Sequence, residues 1–150
     1  MIIPILLCLV IGFLLSKFML TQYEEREEIK PVFGQTEHLF FIQYGVYSSR
    51  DSMENNTKEL NYYIYNFNDN LYYVYLGITK NYENANKLKG YFKTLGYDIY
   101  IKDYQVSNQE FLEMIEYYDL LLSQTTDYDT IKSICHQVLQ KYEEFVNHEY

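Results

Sequence analysis

Cysteine and histidine stand side by side at Cys135-His136, a pairing that in a nucleophilic enzyme would supply a thiolate and its base. Neighbours on a helix diverge by about 100°, so the two cannot share a proton, and Cys135 reads as a buried structural thiol. His38, His136 and His148 have no metal-ligand spacing to one another or to a cysteine, so no metal is expected. No phosphate loop, nucleophile elbow or zinc-protease signature occurs, and no carboxylate pair is singled out as acid and base. Neither an enzymatic activity nor a cofactor is expected. The residues left with chemistry to offer are phenols: 19 tyrosines, beside 9 phenylalanines and no tryptophan. Tyrosine rings lie well against the C–H patches of sugars, and an interleaved amide serves hydroxyl and N-acetyl groups. Strand alternation places Gln43, Tyr63, Tyr65, Tyr73, Tyr75 and Tyr100 together on one side of a sheet, as an uncharged candidate glycan-binding face. The plainer reading is that these tyrosines reflect strand propensity, or that C-terminal helices cover the face.

Those residues need a sheet to carry them. Leu39 to Tyr47 alternates as a strand, and a short helix from about Ser52 to Leu60 follows with Met53 and Leu60 inward, capped at Ser49 or Arg50-Asp51. Tyr62 to Phe67 and Leu71 to Leu76 form a hairpin around Asn68-Asp69-Asn70. A helix over Tyr82 to Thr94 stops at Gly96, and Tyr97 to Lys102 is the fourth strand. The pattern repeats, with Ile42-Gln43-Tyr44-Gly45-Val46 falling on Val74-Tyr75-Leu76-Gly77-Ile78 and Met53 on Ala85. Two strand-helix-strand halves predict an α+β fold, a ferredoxin-like βαββαβ four-stranded antiparallel sheet with two helices on one face. The helix side takes Ile42, Tyr44, Val46, Ile64, Tyr72, Val74, Leu76, Ile99 and Ile101. Ser107 caps a helix from about Asn108 to Ser123, and a second runs from about Tyr128 to Val146, giving a helical hairpin whose apolar stripe needs a partner surface.

Ahead of the sheet, residues 2–20 are apolar apart from Ser16 and Lys17, and a helix of about 19 residues spans about 28 Å, close to a bilayer's hydrocarbon thickness. This predicts a transmembrane helix. A cleaved signal peptide is the rival, disfavoured because no basic stretch precedes the run and no small-x-small site follows it. Counting Lys17, Arg26 and Lys30 leans towards a cytosolic C-terminal part. The predicted organisation is an anchor over 1–21, a tether over 22–37, the sheet domain over 38–104 and the hairpin over 105–150. Twelve basic against 21 acidic side chains give a net charge of −9, which argues against nucleic acid as a partner. At 150 residues and 48 % hydrophobic content, one core is expected.

The first strand, Phe41-Ile42-Gln43-Tyr44-Gly45-Val46-Tyr47-Ser48, resembles that of the SPOR (sporulation-related repeat) domain, which reads aromatic-x-Val-Gln-x-Gly-x-aromatic-Ser. Tyr75-Leu76-Gly77, Glu83-Asn84-Ala85, Leu88 and Gly96-Tyr97 match the family's second half in order and spacing, so the resemblance covers about Leu39 to Asp103. It implies a non-catalytic domain that binds bacterial peptidoglycan, in particular glycan strands denuded of stem peptides, in cell division or sporulation. It also implies a single-pass cell-membrane protein with its C-terminal part outside the cytoplasm, against the charge count. The chain departs from the family where Tyr73 and Tyr75 occupy a strand that commonly carries arginine, and where Gly77-Ile78 replaces Gly-Pro. A different expectation treats the domain as a scaffold whose terminal hairpin binds an envelope or division protein.

Overall fold

The computed structural model describes residues 36–148. The expected transmembrane helix and tether lie outside them, and among the described residues no helix is long and apolar enough to cross a membrane. The elements run β1 (Glu37–Tyr47), α1 (Arg50–Thr57), β2 (Ile64–Asn68), β3 (Leu71–Thr79), α2 (Tyr82–Thr94), β4 (Tyr100–Val106), α3 (Gln109–Gln124) and α4 (Tyr128–His148). The fold is α+β, with one four-stranded sheet in the order β2-β3-β1-β4 and every neighbouring pair antiparallel.

Local chemistry sets the boundaries. Ser49 caps α1 by accepting from the Ser52 N–H at 3.2 Å. That helix ends at Thr57, whose hydroxyl donates back to the Met53 carbonyl at 2.9 Å, so Leu60 falls outside it. Asn81 caps α2 through the N–H groups of Glu83 and Asn84. At the other end Gly96 takes φ +85°, the Gly96 N–H donates to the Lys93 carbonyl and the Tyr97 N–H to that of Phe92. This is a Schellman stop, with the Phe92 and Tyr97 rings stacked beneath it. The stop takes Tyr97, so β4 begins at Tyr100 instead of the expected Tyr97 and runs on past Lys102 to Val106. Asn108 rather than Ser107 caps α3, accepting from the Phe111 N–H at 2.9 Å.

Register decides which side chains share a face, because directly paired residues point the same way. The β2–β3 hairpin closes on two residues, Asp69 and Asn70, at φ 49° and 60°, the left-handed pair that a tight hairpin turn requires. A two-residue turn pairs even positions on β2 with odd positions on β3, so Ile64 sits beside Tyr75 and Tyr65 beside Val74. The expected grouping of Tyr65 with Tyr73 and Tyr75, and of Ile64 with Val74, is therefore corrected. Between β1 and β3 the register shifts twice: Leu76 and Gly77 both oppose Ile42, then Tyr44 is left without a counterpart. Val46 consequently lies beside Tyr73 instead of Val74, and is 41 % exposed.

Helices α1 and α2 pack on the side of Phe40 and Ile42. The Phe40 and Tyr82 rings meet edge to face at 5.3 Å, and the Tyr44 hydroxyl donates to the Asn56 carbonyl. Beyond Tyr75, β3 has no β2 partner, and there the helical hairpin takes over. Cys135 of α4 comes so near Gly77 that an added Cβ would lie 3.4 Å from its sulfur. Leu39, Ile42, Val74, Leu88, Phe111 and Ile115 are among the side chains that this arrangement buries fully.

Candidate binding face

The face turned away from α1 and α2 carries Leu39, Phe41 and Gln43 on β1, Tyr75 and Tyr73 on β3, Ile64 and Asn66 on β2, and Tyr100, Lys102 and Tyr104 on β4. It divides in two. Over one half the hairpin closes: Tyr142 of α4 lies edge-on to Phe41 at 5.4 Å and to Phe111 at 5.4 Å. Phe41 in turn meets both Tyr75 and Tyr104 edge to face. The Tyr75 and Tyr104 hydroxyls bond to each other at 2.8 Å, and burial followed by this bond pushes the Tyr75 phenol upward. At 4 % exposure Tyr75 is a core residue, not the open stacking platform that alternation alone suggested.

The other half is open. Asn66, Tyr73 and Val46 form one row across the strands, with Asn66 and Val46 exposed and Tyr73 half-buried. Tyr100 is 51 % exposed, its hydroxyl donating to Asp98 at 3.1 Å, a bond that raises its pKa. Gln43 lies at the boundary, paired with Tyr75 on one side and Tyr100 on the other. It is 95 % buried in effect, with 5 % of its surface exposed, and its Oε1 is buried without a hydrogen-bond partner. An acceptor in that state has lost its water and gained nothing in return, which costs about 1–3 kcal/mol.

Of the six expected residues, the structure thus gathers Gln43, Tyr73, Tyr75 and Tyr100 on one face and buries two of the four. Tyr63 lies just before β2, half-buried against the core. Tyr65 joins a separate aromatic group on the opposite side of the hairpin, 5.9 Å from Tyr72, which is also 4.6 Å from Phe67. Phe67 and Tyr72 were not among the expected residues; the parity of a two-residue turn was the signal for them.

The remaining chemical groups are occupied otherwise. The Cys135 thiol is pushed up to about 12 by burial. His136 beside it lies against the ring of Tyr62 at 4.2 Å. His38 bonds Asp103 at 2.8 Å on the sheet surface. Among the described residues no group of three or more histidine, cysteine or acidic side chains converges as a metal site. Asp119 of α3, which no motif marked, accepts from the Thr79 hydroxyl, the Lys80 N–H at 2.8 Å and the Asn84 amide at 3.1 Å. Burial raises its pKa, against the lowering effect of those donors. It clasps the hairpin to the turn between β3 and α2, and Lys87 adds a second clasp by donating to the Leu122 and Thr125 carbonyls. No family model matches the chain, and no curated protein or solved structure matches it.

Proposed function

We propose that this chain is a non-catalytic, membrane-anchored protein of SPOR type that captures peptidoglycan glycan strands, denuded of stem peptides, on the open half of its sheet. The carrying observation is the buried, unpartnered Oε1 of Gln43, which lies between Tyr75 and Tyr100 at the edge of the open half, with Tyr73 two residues along β3 from Tyr75. Sugar rings would lie on Tyr73 and Tyr100, and a turn of the Gln43 side chain that brings its Oε1 to the surface would let an N-acetyl amide N–H donate to it. Because that acceptor has already shed its water, the new bond meets no desolvation cost on the protein side. The order βαββαβ with strands arranged β2-β3-β1-β4 is that of a ferredoxin-like domain, in keeping with the resemblance of the sequence. Residues 2–20 would hold the protein in the cell membrane with the domain outside the cytoplasm, where division or sporulation exposes bare glycan. The mechanism is noncovalent concentration at such places.

The test is retention of the full chain by purified sacculi, with and without prior treatment by an amidase that strips stem peptides. Greater retention after stripping, lost in Gln43→Ala and Tyr73→Ala with folding unchanged, is expected. Equal retention by both variants, or indifference to the amidase, overturns the reading and leaves the scaffold role of the hairpin in its place.

A further inference from the structure

A cavity of about 680 Å³ opens between the C-terminal half of α2 and the N-terminal half of α4, apart from the sheet face described above. Its depth is apolar: Leu76, Phe92, Cys135 and Leu139 line it and are buried. Aromatic rings form its sides, with Tyr91 and Tyr128 5.1 Å apart and tilted, and Tyr91 against Phe92 at 4.9 Å. Its mouth is a polar stripe of α4, where Asp129, Lys132, Ser133 and His136 are exposed. Protein interiors are packed as densely as organic crystals, so a void with this lining leaves aromatic surface in contact with water. Its size falls within the range of small-molecule sites, which are apolar concavities with a few polar groups placed to orient the ligand.

The charges at the mouth select among ligands. Asp129 stands in the first turn of α4, where the unpaired N–H groups of the helix offset a carboxylate. Lys132 lies one turn further in, at an end of the helix that disfavours cations, and forms no ion pair among the described residues. Its ammonium is a cationic group at the mouth that attracts an anion locally, against the opposing field of Asp129 and of a net charge of −9. We propose that the cavity binds a flat, apolar, ring-bearing molecule with an anionic head group, its rings among Tyr91, Phe92 and Tyr128 and its head at Lys132 and Ser133. This site does not depend on the glycan reading, and shares no residue with Gln43, Tyr73 or Tyr100.

The cavity carries its own reporter. In a full-length Cys8→Ser variant Cys135 is the sole thiol; because it is buried, N-ethylmaleimide alkylates it only when the cavity wall opens, and a molecule bound in the cavity slows that opening. The probes are 1-anilinonaphthalene-8-sulfonate and N-phenyl-1-naphthylamine, which share a ring body and differ in the anion. Both should slow alkylation saturably, the sulfonate at about tenfold lower concentration, the factor that one charge-assisted contact supplies. Lys132→Glu should erase that difference while leaving the neutral probe unaffected. Ser133→Trp, at an exposed position that fills the mouth, should abolish protection by both with an unchanged melting temperature. The proposal is overturned if neither probe protects Cys135, if protection survives in Ser133→Trp, or if the two probes bind alike in the parent protein.

Discussion

The two halves of one sheet face are built from the same strands and the same residue types, yet they have opposite fates. Under the hairpin, Phe41, Tyr75, Tyr104 and Tyr142 interlock edge to face, and the phenol oxygens satisfy each other. A few residues away Tyr100 stands open and Tyr73 is half-buried, and between the halves Gln43 has no partner for its Oε1 among the described residues. Residue type therefore does not distinguish a tyrosine that packs from one that can bind. What distinguishes them is whether a helix covers the position, and that is settled by where β2 ends: beyond Ile64 it leaves β3 unpaired, and α4 fills the vacancy.

The comparison breaks most sharply if the cover is removed. Phe111 is 1 % exposed and packs on both Tyr142 and Phe145, so Phe111→Ala should cost about 3–5 kcal/mol in urea unfolding. A cost below about 1 kcal/mol would mean that the hairpin is an appendage, and that the covered half is not part of the core. Next in size is the clasp at the turn. Asp119→Ala leaves the Lys80 N–H without its acceptor and removes one of two acceptors from the Thr79 hydroxyl and the Asn84 amide, and should cost about 1–3 kcal/mol. Since its pKa is raised in the folded protein, the folded state holds the proton more tightly than the unfolded chain. Its titration therefore contributes stability that is complete at low pH and is lost as pH rises from the ordinary carboxyl range through the raised value. Asp119→Asn should flatten that part of a stability–pH curve, and an unchanged slope would show that the carboxyl is not desolvated.

Local signals carried the element order well, because each boundary rests on a few residues: the Tyr82–Thr94 helix is where Asn81 and Gly96 place it. The four-stranded antiparallel sheet and the two C-terminal helices were legible for the same reason. The assignment of faces was not. Alternation is a local rule, whereas face membership depends on pairing, and both the two-residue turn at Asp69-Asn70 and the extra residue at Tyr44 invert parity along part of a strand. Hence Gln43 and Tyr100 were grouped correctly, while Tyr65 was not. Cover of the face by C-terminal helices was an expectation, but that it falls on Tyr75 and not on Tyr73 depends on Tyr142, far along the chain. Asp119 was hidden more deeply, since a lone carboxylate on an amphipathic helix looks like any solvated residue until the turn that it clasps is known.

Within the sheet face itself, paired substitutions sharpen the contrast. Tyr75→Phe removes one buried hydroxyl pair and should cost about 0.5–1.5 kcal/mol while leaving sacculus retention intact. Tyr73→Ala and Tyr100→Ala should do the reverse, shifting stability by about 0.5 kcal/mol or less for the exposed Tyr100 and abolishing retention in both. Loss of retention in Tyr75→Phe with its fold unchanged would erase the boundary between the halves.

The smallest effect lies at the margin of the cover, where the Tyr62 hydroxyl donates to Glu143 of α4. Burial, followed by that bond, pushes the Tyr62 phenol up to about 12. A raised phenol favours the folded state while it stays protonated, so this contribution is full below about pH 10, the ordinary tyrosine value, and is lost as pH rises through about 12. Tyr62→Phe should therefore cost about 0.5 kcal/mol at neutral pH and make the alkaline decline of stability shallower above pH 10. If the variant declines as steeply as the parent, the contact between the β2 approach and α4 is not what holds that end of the cover in place, and the edge-to-face cluster around Phe41 holds it alone.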